Sequence, residues 1–224
     1  MPDQRMPQAL DRVVADLAYR YDGVLDREDV AEVVAESYAL LSSQAGVTEF
    51  LPVLTARFAR DRLADLARSA GLAPSGTPEV LFLCVRNAGR SQMAAALMTQ
   101  RSGGRVHVRS AGSAPGGSIH PVVTQAMAEI GIDLTEAYPK PLTDDVVRAS
   151  DVIVAMGCGD ACPVYPGKRY LDWDLPDPHD QSIEVVRAIR DRIDVHVRQL
   201  LAELLPTTSD DSTSHAPATG ERLR

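Results

Sequence analysis

Apolar residues recur at helical spacing through the first third of the chain. Leu10, Val13, Val14, Leu17 and Tyr21 form one stripe, and Val30, Val33, Val34, Tyr38 and Leu41 a second, the repeat of helices with one buried face. Gly23 and Gly46 punctuate the ends. Asp26 predicts an N-cap, with Asp29 following in the first turn, and Thr48 predicts the cap of a third helix whose first turn tolerates Pro52. The apolar set of that helix, Leu51, Leu54, Phe58, Leu63 and Leu66, spreads over a wider face. Residues 1–72 are therefore expected to form a small three-helix bundle, and residues 73–78, APSGTP, a linker.

The pattern then changes. Residues 80–83, VLFL, are a short apolar run with no helical cap before it, as in a strand buried on both faces of a parallel sheet. Helix-face spacing returns after Arg90 with Met93, Ala94, Leu97 and Met98. Residues 106–110, 152–156 and 168–173 read as further strands; 119–130 reads as a helix stopped at Gly131, and 183–205 as a final long helix buried through Ile189, Ile193, Val197 and Leu200. This alternation predicts an α/β fold, a four-stranded parallel sheet with helices on both faces, preceded by the bundle. Ligands of such sheets bind beyond the strand C-termini, where Cys84, Cys158 and Asp177 fall. Residues 206–224 carry almost no large apolar side chains and are expected to be a disordered tail.

Composition narrows the function. Hydrophobic residues make up 45% and charged residues 24%, an ordinary soluble protein, while a net charge of −8 argues against a general nucleic-acid binder. The arginines of the third helix, Arg57, Arg60, Arg62 and Arg68, could suggest a DNA reader, but the acids of this segment outnumber its bases and a solvated face is the expectation. No apolar run is of membrane-spanning length and the start MPDQRMPQALDR lacks the apolar core of a secretory signal, so a cytoplasmic protein without a membrane partner is expected, as a monomer. Three cysteines in such a chain point to catalysis or metal binding rather than to a disulfide framework.

The chemistry concentrates in residues 80–93, VLFLCVRNAGRSQM. A strand ends at Cys84 and a helix starts at Arg90, with five residues between them. The backbone of Val85, Arg86, Asn87, Ala88 and Gly89, followed by the N-terminus of the helix at Arg90 and Ser91, is expected to converge on one point, the arrangement that binds tetrahedral oxyanions. A thiol beside a helix N-terminus and a guanidinium shifts toward the nucleophilic thiolate, and Arg90 can grip two oxygens with its planar fork. Asn87 can hold the loop through its side chain, the Ser91 hydroxyl can donate to the sulfur, and Gly89 permits a backbone angle that other residues resist.

Two further features follow. Residues 156–163, MGCGDACP, place Cys158 and Cys162 in a Gly-containing loop directly after the third strand. Redox use fits them better than a metal site, for which no further ligands stand at matching spacing, or inert thiols. Residues 171–180, LDWDLPDPHD, supply Asp177 and Asp174 just past the fourth strand. No phosphate loop of the nucleotide-binding GxxxxGK[ST] type is present, and neither a cofactor nor a metal is expected.

Residues 84–93 resemble the phosphate-binding loop shared by low-molecular-weight protein tyrosine phosphatases and their relatives, the arsenate reductases; Ser91, Gln92 and Met93 look like the reductase branch. The similarity runs from residue 79 to 205 through the Cys-x5-Arg-Ser-Gln-Met loop, the SAGS segment, GID at 131–133, the paired cysteines and Asp177-Pro178. The preceding bundle resembles the extension of some actinobacterial arsenate reductases. The resemblance implies that Cys84 attacks arsenate, that Asp177 is the general acid, with Asp174 the competing candidate, and that Cys158 and Cys162 carry a disulfide relay reduced by thioredoxin. Relatives often space the last two cysteines more widely, and some with a GCGDAC loop use mycothiol and mycoredoxin instead. Potassium-binding relatives carry an acid where this chain has Ala95, so no potassium site is expected. A phosphotyrosine phosphatase, needing only Cys84, Arg90 and Asp177, is the alternative from another reaction class, and an oxyanion-binding regulator a third.

Overall fold

The computed structural model describes residues 8–43, 50–72, 76–157 and 164–206. Thr48, Gly46, Cys158, Cys162 and residues 207–224 lie outside them.

The sheet is built around β1 (Glu79–Cys84), whose six residues are all buried. Strand side chains alternate between faces, and here both faces find apolar partners. Val80, Phe82 and Cys84 join the larger core with helices α4 (Arg90–Ser102), α5 (Pro121–Ala128) and α7 (Ile183–Leu204). Leu81 and Leu83 join a smaller core with Val146 and Val147 of α6 (Asp144–Ala149). The remaining strands are β2 (His107–Gly112), β3 (Val152–Ala155) and β4 (Arg169–Asp172), in the order β2-β1-β3-β4, all pairs parallel. The chain leaves β1 toward β2 and later crosses back to β3, so the order reverses beside β1. Such a switch point opens a crevice at the strand C-termini. Cys84 ends β1 there, paired in register with Gly112.

Beyond one-residue shifts at the ends of β3, β4 and α7, three elements differ from the sequence expectation. Helix α6 has only six residues, too short to show a helical period, and no helix was expected there. Strand β2 runs two residues further than expected, to Gly112, because it follows β1 to its end. Helix α5 starts at Pro121 rather than 119, since His120 takes the extended N-cap conformation.

The N-terminal helices are α1 (Ala9–Arg20), α2 (Arg27–Ser42) and α3 (Leu51–Ser69). Leu10, Val14 and Leu17 meet Val30, Val33 and Val34 and the inner face of α3 at Ala59 and Leu63. Asp26 caps α2 by accepting from the amides of Glu28 and Asp29 at 2.9 and 2.8 Å. The cap position of α3 is Phe50, with no side-chain cap bond.

Arg62 and Arg68 of α3 correct the expectation of a solvated face, while Arg60 stays exposed and Arg57 half-buried. Arg62 is buried and donates to Asp145 of α6 at 2.9 Å and to Glu36 at 2.9 Å. Arg68 pairs with the buried Glu79 of β1 at 2.8 Å, and Arg57 with Glu136 at 3.2 Å. Asp65 of α3 receives Arg109 of β2 at 3.1 Å. These charges dock the bundle on the face of the sheet that α6 only partly covers, which leaves most of them unavailable to a nucleic acid. Among the described residues no helix is long and apolar enough to cross a membrane.

Candidate active site

The loop after β1 is shaped by where its carbonyls go. The carbonyls of Cys84, Val85, Arg86 and Ala88 accept from the amides of Ser113, Ala114, Gly116 and His120, at 3.4, 2.9, 2.8 and 3.0 Å, and that of Asn87 accepts from Gln92 Nε2 at 3.1 Å. In a trans peptide the N–H points opposite to the C=O. Carbonyls tied outward therefore turn amides inward, and the Asn87 N–H lies 3.2 Å from Cys84 Sγ. The segment after β2, which begins with the last residue of SAGS at Ser113, is thus a scaffold for the loop.

Asn87 is the keystone. It is fully buried at φ 47°, in the left-handed region that Asn tolerates better than most residues. The Lys140 backbone N–H, which can only donate, lies 2.8 Å from one amide atom of Asn87, which must be the oxygen. Gln92 Nε2 donates to the same Oδ1 at 2.9 Å. Nδ2 then faces Ser91 Oγ at 2.8 Å as donor, which leaves the Ser91 proton free for Cys84 Sγ at 3.0 Å. Two donors converge on a buried sulfur, and they meet the charge of a thiolate formed there.

Gly89 has φ −143° and ψ −96°, and the left-handed residue of the loop is Asn87. What Gly89 supplies is room: a Cβ there would lie 2.5 Å from Pro178 Cγ. Pro178 is buried against the loop, and it brings Asp177 to the mouth.

Arg90 is buried at the start of α4. Its Nη1 donates to the Leu175 carbonyl at 3.1 Å and its Nη2 to Asp177 Oδ2 at 3.0 Å. Of the two competing acids the structure brings Asp177 to Arg90. Asp174 is exposed, and its carbonyl accepts from Arg192. Asp177 is less shielded than a buried acid would be: its side chain is 54% exposed, and while Oδ2 faces Arg90, Oδ1 accepts the His179 amide at 3.0 Å. Gly157 closes the other side. At φ +75° it lets the chain leaving β3 pass so near that a Cβ would be 2.8 Å from Arg90 Nη1. Cys158 is the next residue in the sequence.

Several residues here escaped the sequence reading. Gln92 was legible only as part of a family signature; its Nε2 also donates to the Tyr138 carbonyl at 3.0 Å, which ties the loop to a segment some fifty residues on. His120 and His179 pack edge to face at the rim, with ring centroids 4.9 Å apart. Burial pushes the His120 imidazole below its ordinary value, and His179 and Arg86 act in the same direction against Asp177 and Asp180. Among the described residues no group of His, Cys, Asp or Glu is placed to hold a metal.

Residues 79–209 match the family model of low molecular weight phosphotyrosine protein phosphatases, and residues 10–67 match that of the protein-tyrosine-phosphatase-like N-terminal domain. The structure of a Corynebacterium glutamicum thioredoxin-dependent arsenate reductase is 46% identical, with a TM-score of 0.78 over 87% of this chain and 95% of that one. The structure of an arsenate reductase in the phosphate binding state is 32% identical, with a TM-score of 0.50 over 57% of this chain and 99% of that one. The glutaredoxin arsenate reductase of Synechocystis sp. is 33% identical over 129 residues, 56% of this chain and 98% of its own length.

Proposed function

The chain belongs to the low molecular weight phosphotyrosine protein phosphatase family, and from that premise we propose that it is an arsenate reductase in which Cys84 is the nucleophile and Cys158 and Cys162 carry a disulfide relay reduced by thioredoxin. The observation that carries this reading is one juxtaposition. A cysteine sulfur with two converging donors sits in an oxyanion loop gripped by Arg90, and the backbone against Arg90 is Gly157, which leads directly into Cys158. A phosphate-ester hydrolase needs the first half of that arrangement and has no use for the second.

The chemistry runs as follows. Inward amides of residues 85–91 and the Arg90 fork hold three arsenate oxygens. The Cys84 thiolate attacks arsenic, an S–As bond forms, and the fourth oxygen leaves as water with a proton from Asp177. The Cys158 thiolate then attacks the Cys84 sulfur. An S–S bond forms while the S–As electron pair passes to arsenic, which falls from the +5 to the +3 state and leaves as arsenite. The two electrons come from the two thiols. Cys162 attacks Cys158 next, freeing Cys84, and thioredoxin dithiol reduces the resulting Cys158–Cys162 bond.

Thioredoxin is favoured as the reductant because the thioredoxin-dependent relative matches this chain over most of both lengths, bundle included. The test is arsenate-dependent NADPH oxidation with thioredoxin and thioredoxin reductase, run beside glutaredoxin with glutathione and mycoredoxin with mycothiol. Turnover with thioredoxin that disappears in Cys158→Ser and in Cys162→Ser is the expected result. Turnover with mycothiol alone would make the protein an arsenate-mycothiol transferase, and rapid aryl-phosphate hydrolysis without arsenate-dependent oxidation would make it a phosphatase.

A further inference from the structure

We propose that the N-terminal bundle is a positioning device for the oxyanion loop, acting through residues 136–142, which are clamped between α3 and the loop. The connection has two sides. On the bundle side, Arg57 reaches Glu136 at 3.2 Å and stands 5.4 Å from the centre of the Tyr138 ring, while Tyr138 packs against the apolar cluster of Leu41, Leu51 and Phe58. On the loop side, the contacts are made by backbone. The Tyr138 carbonyl accepts Gln92 Nε2 at 3.0 Å, the Lys140 amide donates to Asn87 Oδ1 at 2.8 Å, and the Lys140 carbonyl accepts the Gly112 amide at 2.8 Å.

A clamp is needed because of what the segment must hold. Asn87 adopts φ 47°, a sparsely populated conformation for a side-chain-bearing residue that persists only where its surroundings over-determine it. Two of its three side-chain partners, Lys140 and Gln92, are set by this segment. Residues 136–140 form neither helix nor strand. The end of β2 pins the segment on one side, where Gly112 bonds the Lys140 carbonyl and the Leu142 amide at 2.8 and 2.9 Å, and the Tyr138 ring, seated under α3, holds it on the other. The chain of contacts runs from Phe58 through Tyr138 to Lys140 and Gln92, then Asn87, Ser91 and the Cys84 sulfur. Tyr138 is therefore a positioning residue, and the bundle sets the geometry of an anion site that none of its own residues touches.

The ring is the part that matters, because the Tyr138 hydroxyl is buried without a hydrogen-bond partner among the described residues. This makes Tyr138→Phe the conservative variant and Tyr138→Ala the disruptive one. Arg57→Ala loosens the clamp from a half-buried position without opening a core cavity. Val14→Ala, in the α1–α2 core, destabilises the bundle away from the segment.

The proposal rests on the loop being an oxyanion site, and the experiment keeps the two apart. Inorganic phosphate is titrated calorimetrically into the reduced full-length protein and its variants, and exchange of the Lys140 amide is followed by NMR. Tyr138→Ala is expected to weaken phosphate binding about tenfold and Arg57→Ala about threefold, the size of one or two lost hydrogen bonds, with faster Lys140 exchange in both. Tyr138→Phe is expected to bind as the wild type, and Val14→Ala to lower the melting temperature without changing phosphate affinity or Lys140 exchange. Wild-type affinity in both Tyr138→Ala and Arg57→Ala overturns the proposal, as does an equal loss in Val14→Ala. If Tyr138→Ala does not fold, Arg57→Ala decides by the same two readouts. Should the wild type fail to bind phosphate, the oxyanion reading falls by itself, and unchanged Lys140 exchange in Arg57→Ala overturns the clamp independently.

Discussion

Arg90 and Asp177 are held together by a single hydrogen-bonded ion pair, Nη2 to Oδ2 at 3.0 Å, while the other arm of the guanidinium holds the Leu175 carbonyl. One fork thus anchors the segment that carries the acid, and an oxyanion entering the loop competes with Asp177 for it. Lysine can supply the charge but cannot span both partners. Arg90→Lys is expected to lower kcat/KM for arsenate by about 100-fold or more, the scale of one lost oxyanion donor. Retention of more than a tenth of wild-type kcat/KM would show that the fork is not the grip.

Asp177→Asn removes the proton source and keeps the shape. A fall in kcat of about 100-fold is expected, at the lower end for general acids, with phosphate binding retained because the carboxylate does not hold the anion. Asp174→Asn is expected to leave kcat unchanged, since its side chain is exposed and not bonded to Arg90. Single-turnover reactions with arsenate compare the two; equal losses would refute the assignment.

Gly89→Ala tests the closeness of the loop to Pro178. A methyl there would lie 2.5 Å from a ring carbon of a buried proline, which cannot swing aside as a flexible chain end could. The acid-bearing loop must lift, and displacement by about 1 Å costs on the order of 100-fold in rate. Steady-state kinetics read this beside thermal unfolding, where displacing the buried proline is expected to cost about 1–3 kcal/mol.

The buried pair of Arg62 and Asp145 joins the bundle to α6 at 2.9 Å. Removing Asp145 leaves the buried Arg62 with only the half-exposed Glu36 as a carboxylate partner, so Asp145→Ala is expected to cost about 3 kcal/mol, the lower end for a broken buried pair. Replacing both, as in Arg62→Met with Asp145→Leu, is expected to recover most of that loss. Urea unfolding measures each; a double variant as unstable as the single would contradict the desolvation argument.

Asp65 gives the stability of the interface a pH dependence. Burial pushes its carboxyl up to about 7, against the pull of Arg109 at 3.1 Å. Between about pH 4 and 7 the folded protein keeps a proton that the unfolded chain has released. This group therefore favours folding at acid pH, and its contribution is lost as the pH rises through 7. Asp65→Asn, which cannot ionise, is expected to remove a slope of up to about 1.4 kcal/mol per pH unit in that window. Urea unfolding at about pH 5, 6 and 8 detects it; parallel curves for variant and wild type would count against it.

Much of this architecture was legible in the chain. The unbroken run of residues 80–83 marks a strand buried on both faces, and the spacing of Ile189, Ile193, Val197 and Leu200 marks the inner face of α7. Cys84 and Arg90 at the two ends of a short loop were legible too, because the features that announce them are local. Periodicity and loop length are carried by neighbouring residues. The six residues of α6 are too few to express a period, and the arginines of α3 look the same in sequence whether they face water or, as with Arg62, a buried carboxylate.

What the sequence determined by itself is the chemistry on offer: a thiol and a guanidinium bracketing a strand-to-helix loop, two more cysteines after β3, and an acid before Pro178. Tertiary structure alone decided how these are held. Asn87 rather than Gly89 takes the left-handed turn, and Gln92, Tyr138 and Lys140 fasten it. The physical reason is that most of these fastenings run through backbone N–H and C=O groups. Every residue but proline carries the same pair, so no letter of the sequence distinguishes the amide of Lys140 from any other until the fold sets it 2.8 Å from Asn87.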